Sequence, residues 1–243
     1  MPAYLVFGAA GGIGSALARR LAASGATLTV TSRSAARAQP LADELGATCV
    51  EVDAADFDAV DRCVRDAADR SGGLDGVANC AGSLLLKPAH LTRADELAAT
   101  VAANLTTAFA ITRAAARTMS DGGGGSIALV SSAAARVGLA NHEAVAAAKA
   151  GVEGLALAAA ATYAARQVRV NCVAPGLVRT PLTARITGSP AAAQASLAMH
   201  AIGRLGEPDD VAAALAWLLD PATSWVTGQV LGVDGGLGSV RAR

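Results

Sequence analysis

The stretch AYLVFGAAGGIGSALARRLAAS, residues 3–24, decides the fold of this chain. Its apolar start, residues 3–7, passes directly into the glycine loop GAAGGIG, residues 8–14, and then into an alanine-rich helical segment. A helix N-terminus presents free N–H groups and the positive end of the helix dipole, and residues without side chains let a pyrophosphate approach them. The glycine spacing is GxxxGxG, which differs from the GxGxxG of the usual dinucleotide fingerprint. The stretch therefore predicts a strand, a phosphate-binding turn and a helix.

The same alternation continues along the chain. Short apolar or β-branched runs predict strands at 3–7, 27–31, 48–52, 74–78, 127–131, 168–173 and 229–233. Helical segments are predicted at 13–24, 35–45, 57–70, 93–119, 143–165 and 209–219. Alternating βα units specify a parallel sheet, so we predict an α/β fold: one doubly wound Rossmann-type domain over 1–243, with a seven-stranded parallel sheet and helices on both faces. Segment 180–206 departs from the alternation and is predicted to form a lid over the site.

Length and charge exclude several classes of protein. A chain of 243 residues suits one α/β domain and leaves no room for a separate substrate domain. Lys+Arg and Asp+Glu number 20 each, so the formal net charge is zero at pH 7. Nucleic acids and anionic membranes are bound through basic stripes, so we predict neither as a partner. Four cysteines without CxxC spacing predict free thiols in a cytoplasmic protein, and no metal site is predicted because no ligand cluster is present.

The end of the second predicted strand bears on which dinucleotide binds. An NAD site needs an acidic group for the adenosine ribose hydroxyls, whereas an NADP site offers a cation to the 2′-phosphate. Residues 15–42 contain no Asp or Glu, Ser32 and Arg33 stand at the strand end, and Arg37 follows one helical turn later. We therefore predict NADP rather than NAD. The alternative is that Arg33 is a solvated arginine at the start of a helix.

Further motifs follow the predicted strands or lie on the predicted helices: Asp53 after the third strand, NCAG at 79–82, Asn104 within VAANLTTAF, Ser131-Ser132 after the fifth strand, Lys149 in KAGVEGL, and NCVAPGLVRT at 171–180. Together with the glycine loop, these motifs resemble the short-chain dehydrogenase/reductase family over essentially the whole chain. The tail, GRLGEPDDVAAALAWLLD at 203–220 and TGQVLGVDGG at 227–236, is most similar to the 3-oxoacyl-carrier-protein reductase branch of that family.

The resemblance implies roles for individual residues. It implies a nicotinamide cofactor bound by Gly8, Gly11, Gly12, Ile13, Gly14, Ser32, Arg33, Asp53, Ala54, Asn79, Ala81, Gly82, Lys149, Pro175, Gly176, Val178 and Thr180. It places Ser132, Lys149 and Asn104 in the catalytic site. It also implies a homotetramer whose interfaces use the long helices and the C-terminal strand. Alanine on nearly every face of those helices favours burial against partner subunits.

One departure from the family concerns the acid/base. The family carries a tyrosine four residues before the lysine, one helical turn away on the same face, and this chain has Val145 there. The two tyrosines of the sequence are Tyr4 and Tyr163. Tyr163 lies about 21 Å beyond Lys149 along the predicted helix, at about 1.5 Å per residue, and Tyr4 begins the first strand. Neither tyrosine is placed to supply the proton.

Three hypotheses follow from Val145. In the first, His142 supplies the proton, because it lies seven residues before Lys149, where divergent enoyl reductases of the family carry their tyrosine, and an imidazole pKa of about 6.5 suits an acid at neutral pH. The alternative role for His142 is a polar loop residue beside Asn141, which is predicted to cap the helix. Glu143 is a weaker candidate acid.

In the second hypothesis, a conjugated C=C bond is reduced and a relay of Ser132, Lys149, Asn104 and water supplies the proton. In the third, the chain binds NADP without turnover, as a sensor or as the inactive partner in a hetero-oligomer. Losing a general acid costs a factor of about 10²–10⁴ in rate while hydride positioning survives. We therefore favour an NADP(H)-dependent oxidoreductase with an atypical proton donor.

The predicted lid bears on the substrate. It carries mostly apolar side chains with a few polar ones: Leu182, Ile186, Leu197, Met199 and Ile202, with Arg185, Gln194 and His200. This composition predicts a small, mostly apolar substrate, a carbonyl compound, alcohol or enoyl compound, with one or two polar anchors. The alternative is that these side chains only pack the lid.

Overall fold

The strands of the computed structural model, which describes residues 1–240, form one parallel sheet. They are β1 (Ala3–Phe7), β2 (Thr27–Ser32), β3 (Thr48–Glu51), β4 (Gly76–Asn79), β5 (Gly125–Val130), β6 (Val168–Pro175) and β7 (Val230–Val233). Their order across the sheet is β3-β2-β1-β4-β5-β6-β7, and all neighbouring pairs are parallel. The predicted seven-stranded parallel sheet is confirmed. Residues 241–243 of the predicted domain lie outside the described residues.

Helices connect the strands. They are α1 (Gly12–Ala23), α2 (Ala35–Leu45), α3 (Phe57–Ser71), α4 (Ala94–Val101), α5 (Thr107–Asp121), α6 (Glu143–Tyr163), α7 (Ala184–Thr187), α8 (Pro190–Leu197) and α9 (Pro208–Leu219). The chain passes from each strand to the next through at least one of them, as parallel pairing requires.

The core is divided into two layers by the sheet. Successive residues of β1 point to opposite faces, so Leu5 and Phe7 join one apolar cluster with α3, α5 and α6, whereas Tyr4 and Val6 join a second cluster with α1 and α9. All five residues of β1 are buried, which is typical of a strand covered on both faces. The helices on both faces that the alternation predicted are therefore present.

The predicted helix 93–119 is not one regular α-helix. Between α4 and α5, residues Ala102–Thr106 form a π-helical segment centred on Asn104. The Asn104 side chain donates to the carbonyl oxygen of Thr100, one turn earlier, at 2.9 Å. A side chain that donates to a carbonyl oxygen of the preceding turn competes with the backbone N–H that would otherwise bond to that oxygen. Turns of π-helix are frequent at functional sites. Hydrophobic periodicity carries no signal for such a local change.

The insertion between β6 and β7 folds as short helices. It contains a 3₁₀ turn at Pro181–Thr183, then α7 and α8, and it is bounded by an isolated parallel bridge between Val178 and Gly206. Because it leaves the carboxyl end of β6, it lies at the edge of the sheet where doubly wound folds bind their ligands.

The helix α6 belongs to the core although its composition suits a membrane. Residues Glu143–Arg166 are long and apolar enough to cross a bilayer by length and composition. Val152 and Ala156 of this helix are at most 1% exposed, and they lie in the same apolar cluster as Ile127 of β5. The apolar character of α6 is thus explained by its packing on the sheet.

Candidate functional site

The candidate site is the crevice at the carboxyl ends of β1 and β4. The strand order turns back at this pair, since β2 and β3 lie on one side of β1 and β5 to β7 lie beyond β4. Open α/β sheets bind ligands at such a switch point. The loops that carry the motifs predicted from the sequence, after β1, β4, β5 and β6, all leave the sheet at this edge.

The glycine loop packs against the turn after β4 without room for side chains. Gly8 has φ +75°, and a Cβ atom on it would lie 2.6 Å from the nitrogen of Ala81 and 2.7 Å from the carbonyl carbon of Cys80. A Cβ atom on Gly14 would lie 2.9 Å from Cα of Ala9. Gly11 caps α1 with no side-chain hydrogen bond, and the first turn of α1 has no acidic residue. The N–H groups that begin α1 are therefore available to an anion.

The start of the insertion closes over this loop. A Cβ atom on Gly12 would lie 2.8 Å from Cγ2 of Thr180. Thr180 and Thr183 bond reciprocally at the start of the 3₁₀ turn, and the Thr183 hydroxyl donates to the carbonyl oxygen of Val178. The structure thus brings Thr180, predicted to bind the cofactor from the β6 side, against Gly12, predicted to bind it from the β1 side.

The crevice extends along β2 to a second set of predicted residues. Ser32 is buried at the end of β2, and its hydroxyl accepts a hydrogen bond from the nitrogen of Ser34 at 3.3 Å. Arg33 and Arg37 are exposed, and neither forms an ion pair within residues 1–240. Asp53 is exposed after β3, where one carboxylate oxygen accepts from the nitrogen of Ala55 at 3.0 Å.

An acidic residue that the sequence analysis did not single out also lies here. Glu51, the last residue of β3, is paired across the sheet with Ser32. Its carboxylate oxygen Oε2 accepts a hydrogen bond from the nitrogen of Ala35, the first residue of α2, at 2.7 Å. Searching residues 15–42 for acids did not reveal it, because it comes from the neighbouring strand. The signal that could have found it is an acidic residue near the end of the predicted strand 48–52.

The turn after β4 links the predicted cofactor residues of the crevice to the predicted catalytic ones. The Asn79 side chain accepts from the nitrogen of Ala81 at 3.0 Å and so shapes the turn. A Cβ atom on Gly82 would lie 2.9 Å from Oδ1 of Asn104 and 3.4 Å from Nζ of Lys149. Gly82 therefore brings these two predicted catalytic side chains to one small site.

Asn104 uses its whole amide to hold that turn. Its nitrogen Nδ2 donates to the hydroxyl of Ser83 at 3.1 Å and to the carbonyl oxygen of Thr100 at 2.9 Å. Its oxygen Oδ1 accepts from the nitrogen of Ser83 at 3.2 Å. The side chain is 1% exposed. In this structure Asn104 positions the loop that borders Lys149.

Lys149 is a buried ammonium whose only hydrogen bond within residues 1–240 is to a backbone carbonyl. Its Nζ donates to the carbonyl oxygen of Val130 at 2.8 Å. Burial lowers the pKa of Lys149 to about 8, while the nearby thiols of Cys172 and Cys80 act in the opposite direction. One turn earlier on α6, Val145 is 3% exposed and offers no polar group. The site thus holds a lysine that gives up its proton far more readily than an ordinary one.

Two serines end β5 and have different roles. The Ser132 hydroxyl oxygen accepts from the nitrogen of Ala134 at 3.1 Å, which leaves its own hydrogen free to donate. Ser131 donates to Glu153 at 2.9 Å and contacts the carbonyl oxygen of Lys149 at 3.1 Å. Glu153 also pairs with Arg136 at 3.4 Å, which ties the loop after β5 to α6. Sequence reasoning did not find this anchoring role of Glu153.

His142 is the N-cap residue of α6, and the prediction that Asn141 caps this helix is wrong. Asn141 has φ +64° and accepts a hydrogen bond at its carbonyl oxygen from the nitrogen of Lys87 at 2.8 Å. Nδ1 of His142 lies 2.8 Å from the carbonyl oxygen of Ala140, which assigns a proton to Nδ1 and leaves Nε2 without one in the neutral ring. The i, i+3, i+7 spacing places His142, Val145 and Lys149 on one face of α6.

His200, considered in the sequence analysis as a polar anchor in the lid, is turned away from solvent. It is 3% exposed, its Nε2 accepts from the nitrogen of Leu177 at 3.1 Å, and its Nδ1 lies 2.7 Å from the carbonyl oxygen of Ser196. Both ring nitrogens are therefore used to hold the end of α8 to the loop after β6. Its role as a substrate anchor is not supported by this geometry.

The lowered pKa of Lys149 predicts a pH-dependent stability. Between pH about 8 and about 10.5 the unfolded chain holds this proton and the folded chain does not, so the contribution of Lys149 to the free energy of unfolding rises with pH. Relative to Lys149→Met, the wild type should gain about 2 kcal/mol between pH 7 and pH 10 in urea unfolding. Arg117→Met, which replaces an exposed side chain of α5 outside the crevice, is the control and should show a constant difference. A constant difference for Lys149→Met would contradict the assignment.

The comparisons with known proteins agree with this geometry. The family described as Enoyl-(Acyl carrier protein) reductase matches residues 8–238. A cis-4-hydroxycyclohexanecarboxylate dehydrogenase from Sinomonas cyclohexanicum is 41% identical and covers 97% of this chain and 96% of the relative. A 3-oxoacyl-(acyl-carrier-protein) reductase from Vibrio cholerae is 34% identical over 96% of each chain. The structure of a short-chain type dehydrogenase/reductase from Mycobacterium ulcerans superposes with a TM-score of 0.95 at 34% identity, covering 99% of this chain and 91% of that one. This chain belongs to the short-chain dehydrogenase/reductase family and is an oxidoreductase of that type.

Proposed function

We propose that this protein is an NADP(H)-dependent oxidoreductase that transfers hydride between the nicotinamide and a small, mostly apolar carbonyl, alcohol or enoyl substrate, with an atypical proton donor. One observation carries the proposal. The crevice joins an uncapped helix N-terminus behind a glycine-rich loop to a buried lysine that borders the same β4 turn. The first part suits a pyrophosphate, and the second suits the reacting end of the cofactor and a substrate oxygen.

The residues present fit a nicotinamide dinucleotide. The first N–H groups of α1 have no side-chain cap and form a cradle beside Gly8 and Gly12, which have no room for Cβ atoms against Ala81 and Thr180. Thr180 lies across this cradle, and Lys149 stands beyond Gly82 at the opposite end from Arg33. When bound, the nicotinamide supplies or accepts the hydride. The chain would hold the pyrophosphate at α1, the adenosine end at Ser32 and Arg33, and the nicotinamide ribose at Lys149.

The choice of NADP over NAD rests on the arginines after β2. Arg33 and Arg37 are exposed and have no carboxylate partner within residues 1–240. A guanidinium binds a phosphate by charge-assisted hydrogen bonds in a fixed geometry. An arginine without a protein partner at this end of the crevice suits a 2′-phosphate.

Binding titrations of NADP and NAD test this choice. Arg33→Ala should weaken NADP binding about tenfold or more, since a hydrogen bond to a charged group contributes about 1.5–3 kcal/mol. NAD binding should change less than about twofold, because NAD has no 2′-phosphate. Arg117→Ala, which removes an exposed arginine from α5, is the control. Equal affinity of the wild type for the two cofactors, unaffected by Arg33→Ala, would overturn the choice.

The candidate proton donor is His142. With Nδ1 bonded to the carbonyl oxygen of Ala140, a second proton on Nε2 gives an imidazolium that keeps this bond and gains a free donor.

An alternative path for the proton uses the Ser132 hydroxyl as the donor, which Lys149 and a water would resupply. The lowered pKa of Lys149 favours this relay because the lysine can release a proton near neutral pH. The named activity of the Sinomonas relative supports alcohol and carbonyl chemistry for the first path.

The lid supports a mostly apolar substrate. Leu182, Met199 and Ile202 are 54%, 44% and 65% exposed. Apolar side chains left in solvent at the binding edge of the sheet can cover an apolar ligand. Both ring nitrogens of His200 bond to backbone atoms. Of the polar lid residues considered as substrate anchors, Arg185 and Gln194 therefore remain, and both are exposed.

Turnover assays separate the proton donors. NADPH oxidation is followed with ketones, quinones and enoyl thioesters, and His142→Ala should lower kcat by a factor of about 10²–10⁴ without changing NADPH affinity. Val145→Tyr should restore a phenol one turn before Lys149 and raise carbonyl reduction. His90→Ala, which removes an exposed histidine outside the crevice, is the control, and Glu143→Gln tests the weaker candidate acid.

Each other result of this assay has a defined meaning. Full activity of His142→Ala removes the histidine, and a loss of activity in Ser132→Ala then favours the relay through Ser132. A wild type that binds NADPH but turns over none of these substrates would support the alternative function, a cofactor-binding sensor or an inactive partner in a hetero-oligomer.

We also propose that the protein is a cytoplasmic homotetramer. All four cysteines are free, which suits a reducing compartment. Large apolar side chains are exposed on α4, α5, α6 and α9 and on or next to β7: Leu97, Phe109, Leu157, Trp217, Trp225 and Leu231. Exposed apolar patches of this kind mark interfaces between proteins.

Light scattering tests the assembly. The mass should be about four times 23.9 kDa, and Leu157→Arg should reduce it, because a charge on an apolar interface resists burial. Arg166→Ala, outside these apolar positions, serves as the control. A wild-type monomer would contradict the proposal.

A further inference from the structure

We propose that Glu51 is a specificity-determining residue for the cofactor: its carboxylate lies where the 2′-phosphate of NADP would bind and restrains the preference for NADP, so the site accepts NAD as well. This inference rests on the proposed function, because it concerns the adenosine end of the same cofactor site. It adds a residue that lies on β3, outside the segment between the first glycine and the end of β2 where the cofactor choice is usually made.

The position of Glu51 follows from the register of the sheet. Ser32 is paired with Glu51, and the nitrogen of Val52 donates to the carbonyl oxygen of Ser32 at 2.9 Å. The two strand ends are therefore held side by side. Arg33 follows Ser32 directly in the chain. The side chain of Arg33, which is proposed to bind the phosphate, and the side chain of Glu51 therefore project from neighbouring strand ends.

Glu51 also occupies a hydrogen-bond donor that a phosphate would use. Ser34 is the N-cap residue of α2, but its side chain makes no capping hydrogen bond, and the first turn of α2 has no acidic residue. Oε2 of Glu51 accepts from the nitrogen of Ala35 at 2.7 Å and takes the place of the cap. A negative group at a helix N-terminus is favoured by the helix dipole, and here the protein supplies that group itself.

The two cofactors meet this carboxylate differently. The 2′-hydroxyl of NAD can donate a hydrogen bond to the free oxygen Oε1 while Oε2 stays on Ala35. The 2′-phosphate of NADP is an anion, so it is repelled by the carboxylate and competes with it for the N–H of Ala35. Arg33 and Arg37 attract the same phosphate from exposed positions. The balance between these opposite charges sets the ratio of the two affinities.

The test is a direct binding titration of NADP and NAD, without substrate, on wild type and Glu51→Gln. Glutamine keeps an oxygen acceptor for Ala35 and removes the charge, so the fold and the cap are retained. We expect NADP to bind about tenfold more tightly to Glu51→Gln, which is about 1.4 kcal/mol, and NAD affinity to change less than about threefold. The gain should shrink as salt is raised, because screening weakens repulsion between exposed charges.

Two further variants make the result specific. Glu44→Gln removes the same charge from the last turn of α2, where the side chain pairs with Arg19, and should leave both affinities unchanged. Glu51→Ala also removes the hydrogen bond to Ala35, so it should tighten NADP binding and weaken NAD binding. Thermal unfolding without cofactor confirms that each variant is folded.

The outcomes distinguish this inference from the proposed function. If Glu51→Gln leaves the ratio of the two affinities within about twofold while Arg33→Ala still abolishes the NADP preference, the role of Glu51 is overturned and the cofactor assignment stands. If the folded wild type binds neither dinucleotide, the proposed function fails and this inference fails with it. A wild type that strongly excludes NAD would also overturn the inference.

Discussion

The close packing of the glycine loop on the turn after β4 is the constraint on which the site depends. Gly8 has no room for a Cβ atom against Cys80 and Ala81, and Gly82, two residues further along the same turn, has little room between Asn104 and Lys149. One four-residue turn thus contacts both the glycine loop and the buried lysine. A side chain at Gly8 would displace the backbone of the turn, and one at Gly82 would displace the amide of Asn104.

The electrostatics at the Lys149 end of the crevice follow from the burial of its ammonium. Lys149 is buried, and within residues 1–240 its ammonium is bonded only to the carbonyl oxygen of Val130, with apolar Val145 one turn away. Desolvation without a carboxylate partner weakens its hold on the proton. A ligand hydroxyl or a developing oxyanion beside Lys149 would restore stabilising interactions to the ammonium. The free energy of such a contact is largest in a state that carries negative charge near Nζ.

The sequence was sufficient for the fold because its signals are local and repeated. β1 reads as a continuous apolar run because both of its faces are buried, and alternation with helices specifies parallel pairing. The details that escaped prediction depend on contacts between distant segments. The π-helical segment at Asn104 forms where its amide holds Ser83, and Asn141 leaves the cap position of α6 where its carbonyl accepts from Lys87. Hydrophobic periodicity does not encode either hydrogen bond.

The adenosine end shows why a search restricted to one segment of sequence can misjudge a charge. Residues 15–42 hold no acid, yet a carboxylate stands at the start of α2, because strand pairing brings Glu51 beside Ser32. At the other end of the crevice, His142 is the N-cap residue of α6, the helix that carries Val145 and Lys149, and Ser132 follows β5. At the start of α2 the carboxylate comes from a neighbouring strand, so the local motif alone is an incomplete guide to the charge around the crevice.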